Sequence, residues 1–305
     1  MYDLVIIGGG PAGVAAGVYA ARKKIKVALV TESFGGQSLV SADVQNWIGT
    51  KSISGFDLAK ALEEHVRAQE GIEIIEGELA TAITDASDHL VVETNGEKKL
   101  ETKYVLLASG SRRRKINVPG EAELDGRGVA YCSICDAPLF KDKTVAVVGG
   151  GNAGLEAVID LLPYAPKIYL LERDEMLRGD AVTQEKVKSN PKVTIILTAE
   201  TQTIFGKDSV EGMTYKDLKT GEEKKLDVQG VFIEIGALPN SEFVKNLVTL
   251  NPINEVIADP KTQQTSHSRI WAVGDVSDVL YKQNNISAGD AVKAVLNIYD
   301  RIVRD

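Results

Sequence analysis

The sequence predicts an α/β protein made of two similar three-layer domains, with the second domain inserted into the first. Three observations indicate this arrangement. A pattern of strand, glycine-rich turn and helix occurs twice, alternating strand segments follow each copy, and the C-terminal stretch has no third glycine-rich turn. The length of 305 residues also suits two domains of ordinary size.

The first copy of the pattern lies at the N-terminus. A short apolar strand at residues 4–7 is followed by a glycine-rich turn and a helical pattern that continues to Arg22. A second strand at residues 27–31 then ends at Glu32. The turn itself consists of Gly8, Gly9, Gly10, Pro11, Ala12 and Gly13.

The second copy repeats this order in the middle of the chain. A strand at residues 145–148 precedes the turn, a helix follows to Leu162, and the strand at residues 168–171 ends at Glu172. The turn consists of Gly149, Gly150, Gly151, Asn152, Ala153 and Gly154. The matching spacing indicates two domains of one design.

Alternating strands with tight turns follow each copy. In the first half Asn95-Gly96 is a strong hairpin signal, and the run closes on a strand that ends in Ala108, Ser109 and Gly110. In the second half Thr220-Gly221 is a weaker signal, and the run closes at Gly236.

The C-terminal stretch is too short for a domain of its own. It contains a strand at residues 270–273, the turn Gly274-Asp275 and a helical segment from about 288 to 303. We expect it to complete the first domain. The predicted bounds are therefore 1–113 with 241–305 for the first domain and 114–240 for the inserted one.

Both glycine turns have the spacing G-x-G-x-x-G and the context of a dinucleotide-binding Rossmann-like domain. The first glycine allows a tight turn, the second lets the backbone approach a pyrophosphate, and the third lets the helix pack against the strand. The positive end of the helix then lies at the phosphates. Glu32 and Glu172 are expected to accept hydrogen bonds from ribose hydroxyls.

Two dinucleotide sites in one chain indicate electron transfer between two dinucleotides. The N-terminal domain is expected to bind FAD, because the Gly274-Asp275 turn of the same domain can cap the flavin side of the ligand. The inserted domain then binds the pyridine nucleotide. Glu172 and Asp174 favour NADH because carboxylates repel a 2′-phosphate, whereas Arg173 and Arg178 leave NADPH open.

The chain has only two cysteines, Cys132 and Cys135, and they form one C-x-x-C motif. Zinc binding would need two further ligands, and the three histidines are scattered, so no metal site is predicted. Inert buried thiols are the remaining structural alternative. A redox pair fits better, because the spacing lets one thiol resolve a mixed disulfide formed by the other. Asp136 is either the acid that protonates a leaving thiolate or a helix-capping residue.

Composition excludes several other classes of function. The net charge of −8 argues against nucleic-acid and membrane-surface binding, and the basic run at residues 112–115 is interpreted as a solvated loop. No apolar stretch is long enough to span a bilayer, and the N-terminus has the pattern of a buried strand rather than a signal peptide. A cytoplasmic enzyme is expected.

Taken together, the motifs resemble the low-molecular-weight thioredoxin reductase family over essentially the whole chain, and most of all the flavoprotein half of the alkyl hydroperoxide reductase system. Besides the glycine turns and the Cys132–Asp136 segment, the resemblance rests on seven short motifs. They are Phe34-Gly35-Gly36-Gln37, Asn46-Trp47, Val118-Pro119-Gly120-Glu121, Pro138-Leu139-Phe140, Pro239-Asn240, Ala272-Val273-Gly274-Asp275 and Tyr281-Lys282-Gln283.

The resemblance implies a function for individual residues. It implies that Cys135 exchanges electrons with the flavin, that Cys132 attacks the disulfide of the partner, and that Asp136 is the acid. The candidate FAD residues are Gly8, Gly10, Pro11, Ala12, Gly13, Glu32, Gly36, Gln37, Asn46, Ala108, Gly110, Gly274, Asp275 and Gln283. The candidate pyridine-nucleotide residues are Gly149, Gly151, Asn152, Ala153, Gly154, Glu172, Arg173, Arg178 and Gly236. A homodimer with a swivelling inserted domain is also implied.

The sequence departs from the family pattern in three places. Glu172-Arg173-Asp174 replaces the usual arginine cluster for a 2′-phosphate, the C-x-x-C interior is Ser-Ile, and the chain begins directly at the first strand. The electron acceptor is therefore expected to be a separate protein, either thioredoxin or a glutaredoxin-like carrier that feeds a peroxiredoxin. The alternatives are an NADH oxidase or diaphorase, a ferredoxin-driven thioredoxin reductase, and a non-enzymatic flavin-binding redox sensor, which would turn over slowly with every disulfide protein.

Overall fold

The computed structural model describes residues 1–41 and 44–304, which divide into two compact units. The first unit contains Met1–Leu39, Gln45–Arg112 and the described residues from Leu238 onward, and the second is built mainly from Arg113–Ala237. The chain passes between the units on two short strands that pair with each other. They are β7 (Ser111–Arg113) and β16 (Ala237–Pro239).

The first unit is an α/β unit around one large sheet. Its strands are β1 (Tyr2–Gly9), β2 (Val27–Phe34), β3 (Ile72–Glu76), β4 (Ala80–Asp85), β5 (Leu90–Thr94), β6 (Lys99–Leu107) and β17 (Ile270–Ala272). Its α-helices are α1 (Pro11–Arg22), α2 (Gly55–Arg67) and α6 (Asn284–Arg304). Short 3-10 helices occur at Gly36–Val40, Glu242–Val244 and Gly274–Val276.

The sheet of the first unit has the order β3-β2-β1-β6-β5-β4. Strands β3, β2, β1 and β6 are parallel, whereas β5 and β4 continue as antiparallel hairpins. Strand β17 also pairs in parallel with β6, with Ile270 opposite Val105. The C-terminal segment therefore completes the sheet of the first unit.

Alternate side chains of the parallel strands point to opposite faces and build two cores, as the period of two in a strand requires. On one face Leu4, Ile6 and Trp271 are fully buried and pack with residues of α1 and α6. On the other face Val5 and Val105 are fully buried in a second cluster. These strands are therefore covered on both sides, as is typical of parallel sheets.

The second unit has the same order of strand, glycine-rich loop and helix, with a smaller parallel sheet. Its strands are β8 (Val129–Ala130), β9 (Thr144–Val148), β10 (Lys167–Leu171), β11 (Val193–Ile196), β12 (Ala199–Phe205), β13 (Gly212–Asp217), β14 (Glu223–Leu226) and β15 (Gly230–Ile233). Its α-helices are α3 (Ser133–Asp136), α4 (Asn152–Leu161) and α5 (Ala181–Lys188), and a 3-10 helix spans Ala137–Phe140. Five parallel strands in the order β11-β10-β9-β15-β8 form one sheet, and β12-β13-β14 form an antiparallel one.

The predicted fold class, a pair of Rossmann-like α/β domains, is confirmed. Two local boundaries differ from the prediction. Strand β2 continues beyond Glu32 to Phe34, and α6 begins at Asn284 rather than near residue 288. No helix within residues 1–41 and 44–304 combines the length and the apolar character needed to cross a membrane.

Candidate active site: two glycine loops and a redox disulfide

The loop between β1 and α1 depends on two glycines that pack against backbone atoms. Gly8 has a φ of +118°, and a Cβ at this position would lie 2.2 Å from the carbonyl oxygen of Ala108. A Cβ on Gly13 would lie 1.8 Å from the carbonyl oxygen of Gly8. Strands β1 and β6 and helix α1 can therefore approach this closely only because both residues lack side chains.

Gly10 differs from Gly8 and Gly13, because no close packing contact requires a glycine at this position. Its φ is −74°, and the nearest atom to a Cβ there is the Cα of Gly36, at 3.9 Å. Helix α1 begins immediately afterwards, with Pro11 and Ala12 in its first turn. The N-terminal N–H groups of a helix beside two glycines form a cradle that fits a pyrophosphate.

The C-terminal turn lies beside this helix end. Gly274 has a φ of +67°, and a Cβ there would lie 3.5 Å from the Cβ of Ala12 and 3.1 Å from Oγ of Ser287. The neighbouring Asp275 accepts a hydrogen bond from Nε2 of Gln37 through its Oδ2 at 3.1 Å. The same Gln37 nitrogen donates to Oγ of Ser111 at 2.9 Å.

A second contact also joins the N-terminal part of the first unit to its C-terminal part, as the bond between Gln37 and Asp275 does. Nδ2 of Asn46 donates to Oε1 of Gln283 at 3.3 Å, and Asn285 donates to the carbonyl oxygen of Asn46 at 2.7 Å. The four polar residues that the family resemblance assigned to FAD thus form two hydrogen-bonded pairs. Both pairs lie in the unit that contains the first glycine loop.

The remaining candidate FAD residues also lie in the first unit. Glu32 is exposed on β2, so its carboxylate is accessible to a ligand. Gly110 has a φ of +65°, and within the described parts of the chain nothing lies within 4 Å of a Cβ placed on it. Sequence reasoning missed its neighbour Ser109, which exchanges two hydrogen bonds of 2.8 Å with Asn240.

The second glycine loop repeats the geometry of the first. Gly149 has a φ of +118°, with Glu234 O only 2.4 Å from an added Cβ, and a Cβ on Gly154 would lie 1.7 Å from Gly149 O. Around Gly151, by contrast, no heavy atom among residues 1–41 and 44–304 lies within 4 Å of such a Cβ. Helix α4 then starts with Asn152 and Ala153.

Glu172 is held by the backbone of its own unit. Its Oε2 accepts a hydrogen bond from the N–H of Gly150 at 2.6 Å, and its Oε1 accepts one from the N–H of Asp174 at 2.9 Å. The carboxylate therefore lies against the glycine loop. Each oxygen keeps a second lone pair for a ribose hydroxyl.

Both arginines that left NADPH open are paired with acids. A guanidinium nitrogen of Arg173 lies 3.0 Å from Oε1 of Glu200, and Arg178 forms an ion pair with Asp174. Each arginine side chain is 72% exposed, so solvent screens both ion pairs. Gly236 lies between β15 and β16 and has a φ of +97°, and its carbonyl oxygen accepts the N–H of Arg114 at 3.1 Å.

Cys132 and Cys135 form a disulfide, with their Cα atoms 5.4 Å apart. The short helix α3 begins directly after Cys132, whose carbonyl oxygen accepts the N–H of Asp136 at 3.0 Å. Between the cysteines, Ser133 is buried and donates its hydroxyl to Oδ2 of Asp160 at 2.8 Å, whereas Ile134 is 59% exposed. The turn is therefore anchored on one side and open on the other.

The strand segment before the cysteines is anchored by a buried acid that sequence reasoning used only as a family marker. Glu121 accepts the hydroxyl of Tyr131 at 2.9 Å and the N–H groups of Ile116 and Asn117 at 3.1 and 2.6 Å. Burial and this hydrogen bond raise the pKa of Tyr131 above its usual range. Tyr131 is therefore a neutral hydrogen-bond donor, and its bond to Glu121 holds in place the residue that directly precedes Cys132.

Two carboxyl groups of the second unit, those of Asp136 and Glu234, have a raised pKa. Burial raises the pKa of Asp136 to about 6, with Asp125 acting in the same direction and Arg113 opposing it. Burial also raises the pKa of Glu234 to about 7, and the negative charges of Asp160 and Asp136 add to the rise. Arg113 and a backbone hydrogen bond from Ser133 oppose it.

Glu234 was not among the predicted site residues. The sequence did contain one signal for it, because Glu234 is an acid that directly follows the apolar strand residues 231–233. Burying a charged carboxylate in such a place costs free energy, which makes the residue unusual. Only 8% of its surface is exposed.

The raised pKa of Glu234 predicts a pH-dependent stability. A carboxyl whose pKa rises from 4.5 to about 7 on folding contributes its stability fully below pH 4.5 and loses it as the pH rises through 7. We expect Glu234→Gln to exceed the wild type in free energy of unfolding at pH 8 by on the order of 2 kcal/mol, and to lose most of this advantage at pH 5. Thermal unfolding at both pH values measures this, with the exposed Glu223→Gln as control; equal pH slopes in the two variants would contradict it.

A disulfide in a turn and two strand–glycine loop–helix units together define a dinucleotide-dependent disulfide oxidoreductase. The comparison with known families agrees. The model of the pyridine nucleotide-disulphide oxidoreductase family matches residues 2–293. The chain belongs to this family.

Relatives are found both among known sequences and among solved structures. The chain is 44% identical to an alkyl hydroperoxide reductase component of Pseudomonas putida and 42% identical to a protein named NADH dehydrogenase of Bacillus subtilis. It spans only 58% and 59% of the length of these two relatives. Among solved structures, thioredoxin reductase from Streptococcus pyogenes matches with a TM-score of 0.93 and 33% identity, covering 100% of this chain and 99% of that one. The predicted family resemblance is confirmed.

Proposed function

We propose that the chain is a thioredoxin reductase-like enzyme that passes electrons from NADH through FAD and the Cys132–Cys135 pair to a disulfide of a separate thioredoxin-fold protein. The observation that carries this proposal is the disulfide itself, which lies in the same unit as the second glycine loop, in a turn whose central residue Ile134 is 59% exposed. Such a pair can exchange with a disulfide of another protein.

We infer that the first unit binds FAD and the second the pyridine nucleotide. The Gly10–Gly36 cradle at the N-terminus of α1 suits the pyrophosphate of FAD, and Gln37, Asp275 and Asn46 provide polar atoms beside it. When bound, FAD supplies two-electron transfer between a nicotinamide and a disulfide. In the second unit, the space beside Gly151 is free of described atoms and suits the pyrophosphate of the pyridine nucleotide.

The chemistry of the cysteines follows thiol–disulfide exchange. In the reduced pair, the Cys132 thiolate attacks one sulfur of the partner disulfide, forms a mixed disulfide and releases a partner thiolate. The Cys135 thiolate then attacks Cys132, which re-forms the Cys132–Cys135 bond and releases the second partner sulfur. Asp136, with a pKa raised to about 6 by burial, is suited to hand a proton to a leaving thiolate near neutral pH.

The surface around the pair favours a protein as the acceptor. Ile134 is 59% exposed between the cysteines, and Leu139 is 37% exposed on the following 3-10 helix. Exposed apolar side chains beside a reactive pair suit contact with another protein surface. We infer that the acceptor is thioredoxin or a glutaredoxin-like carrier that feeds a peroxiredoxin, because the relatives include a thioredoxin reductase and a subunit of alkyl hydroperoxide reductase.

We expect NADH to be used at least ~10-fold more efficiently than NADPH, because Glu172 lies at the strand end and both nearby arginines are paired with acids. Releasing Arg178 by Asp174→Ser is expected to raise kcat/KM for NADPH ~10-fold and to change kcat/KM for NADH little. The control is Glu175→Gln, a neighbouring carboxylate that pairs with Lys219 instead. Steady-state kinetics with both nucleotides decide this, and a wild type that prefers NADPH would contradict it.

The proposed function is tested by following the yellow holoenzyme in a stopped-flow instrument without oxygen. NADH should bleach the flavin within the turnover time, and a thioredoxin or glutaredoxin-like disulfide should restore the colour. Restoration by oxygen or a quinone alone, unaffected by removal of Cys132 or Cys135, would instead identify an oxidase or diaphorase. Bleaching by reduced ferredoxin alone would make ferredoxin the donor.

We also infer a homodimer, because the resemblance to the low-molecular-weight thioredoxin reductases implies one. Sedimentation equilibrium of the holoenzyme measures the oligomeric state, and a monomer at micromolar concentration would contradict the inference.

A further inference from the structure

Ser133 joins the redox turn to helix α4 by a side-chain hydrogen bond. It lies between the two cysteines as the first residue of α3, and only 7% of its surface is exposed. Its hydroxyl donates to Oδ2 of Asp160 at 2.8 Å. Asp160 is the second-to-last residue of α4 and is half-buried. The interior of the C-x-x-C motif is thus bonded to the helix that follows the second glycine loop.

Apolar packing holds the segment after the cysteines on the same helix. Ala137 and Phe140 belong to the 3-10 helix that directly follows α3. Both are buried in one core cluster with Leu155 and Val158 of α4. This packing fixes the end of the turn relative to α4. The bond to Asp160 therefore depends on how closely the first part of the turn approaches that helix.

A hydrogen bond that forms in the closed turn favours the disulfide. The Cα atoms of Cys132 and Cys135 are 5.4 Å apart when the S–S bond is present. Without that bond the two cysteines can separate, and conformers in which Ser133 leaves α4 lose the bond to Asp160. An interaction that is stronger in the closed conformers shifts the equilibrium toward them. It therefore also raises the tendency of the two sulfurs to bond.

We propose that Asp160 is a positioning residue that, through its hydrogen bond to Ser133, stabilises the oxidised Cys132–Cys135 pair and so makes the dithiol a stronger reductant. This inference rests on the proposed function, because it concerns the reducing strength of the same pair. A stronger reductant passes its electrons more completely to an acceptor disulfide. The serine inside the C-x-x-C motif has a definite function in this account, because alanine could not donate the bond.

The test measures the redox equilibrium of the pair itself. Holoenzymes are equilibrated without oxygen in dithiothreitol redox buffers at neutral pH and alkylated rapidly, and mass spectrometry gives the oxidised fraction of Cys132 and Cys135. In this reaction the dithiothreitol dithiol gives two electrons and two protons to the enzyme disulfide. The Sγ–Sγ bond breaks, and the ring disulfide of oxidised dithiothreitol forms.

We expect the equilibrium constant for oxidation of the pair to fall ~10-fold in Ser133→Ala and in Asp160→Ala, which raises the reduction potential by about 30 mV. The double variant should equal either single variant, because both substitutions remove the same bond. The control is Glu156→Gln, which removes an exposed carboxylate one turn earlier on α4 and should match the wild type.

Three results would overturn the proposal. The first is an equilibrium constant that does not fall in the single variants. The second is a ~100-fold fall in the double variant, because the two residues would then act independently of their bond. The third is a fall in Glu156→Gln as large as that in Asp160→Ala. Since Asp160 is half-buried, Asp160→Ala beside its control keeps the test decisive even if Ser133→Ala does not fold.

The assay is separate from the test of the proposed function, because neither NADH nor a protein acceptor enters it. An unchanged equilibrium in an enzyme that reduces thioredoxin-fold disulfides would overturn this inference alone. A ~10-fold shift in an enzyme that reduces no protein disulfide would overturn the proposed function and leave the effect of Asp160 on the pair intact.

Discussion

Replacing Cys135 with serine is expected to reduce NADH-dependent reduction of a protein disulfide by ~10³-fold or more, while NADH still bleaches the flavin. The physical reason is that the variant cannot form the Cys132–Cys135 bond. Without it, the electron pair has no route through the turn, and a mixed disulfide between Cys132 and the acceptor has no resolving thiol. A steady-state assay of acceptor thiols, beside a stopped-flow record of flavin absorbance, measures both parts.

Cys132→Ser should lose the acceptor reaction to the same extent, because the attacking thiol is then absent. The two variants differ in what they trap, since only Cys135→Ser can accumulate a covalent complex with the acceptor. The control for both is Glu223→Gln, which is exposed in the same unit. Full disulfide reductase activity in either cysteine variant would show that the pair is incidental and that another group reduces the acceptor.

A valine at Gly151 is expected to weaken binding of the pyridine nucleotide ~100-fold or more and to leave FAD binding unchanged. Gly151 has a φ of −82°, which a valine can adopt, and no described atom lies within 4 Å of a Cβ at this position. The added atoms would occupy the space that we assign to the pyrophosphate. Loss of one or two hydrogen bonds from helix N–H groups to a charged phosphate corresponds to this factor, at ~1.5–3 kcal/mol each.

The matched variant is Gly154→Ala, which adds fewer atoms at a position without room. Its Cβ would lie 1.7 Å from the carbonyl oxygen of Gly149, so we expect it to lower the free energy of unfolding of the second unit by ~3 kcal/mol. Calorimetric titration with NADH and thermal unfolding distinguish the two effects. If Gly151→Val binds NADH as the wild type does, the pyrophosphate does not lie at this loop.

Features determined by local backbone constraints were predictable from the sequence. The glycines at 8, 13, 149 and 154 are required because their missing Cβ atoms would meet backbone oxygens at about 2 Å, and the short spacing between strand and helix already indicates this. The return of the C-terminal segment to the first unit followed from the lack of a third glycine-rich turn. In the structure, β17 pairs in parallel with β6 of the first unit.

Features that depend on contacts between distant residues were less predictable. The pairs Gln37–Asp275 and Asn46–Gln283 join positions more than 200 residues apart, and only the family resemblance pointed to them. Glu234 has no sequence motif that marks it as a buried acid. Its burial after β15 and its raised pKa appear only in the folded chain.

The hydrogen bonds of Glu172 show a related limit. Its position at a strand end predicted contact with a ribose, but the sequence could not show that Gly150 and Asp174 donate their N–H groups to it. Nor could it show that Arg173 and Arg178 pair with Glu200 and Asp174. Side-chain direction on an exposed turn depends on the nearest available partner, which spacing does not reveal.

The most direct test of electron flow through the disulfide is an anaerobic titration of the oxidised holoenzyme with NADH. Two redox centres that each accept two electrons predict an end point at about two NADH per chain, with free thiols appearing on Cys132 and Cys135. In Cys135→Ser the end point should fall to about one. A wild-type end point at about one NADH, with the disulfide intact by mass spectrometry, would contradict electron transfer through the pair.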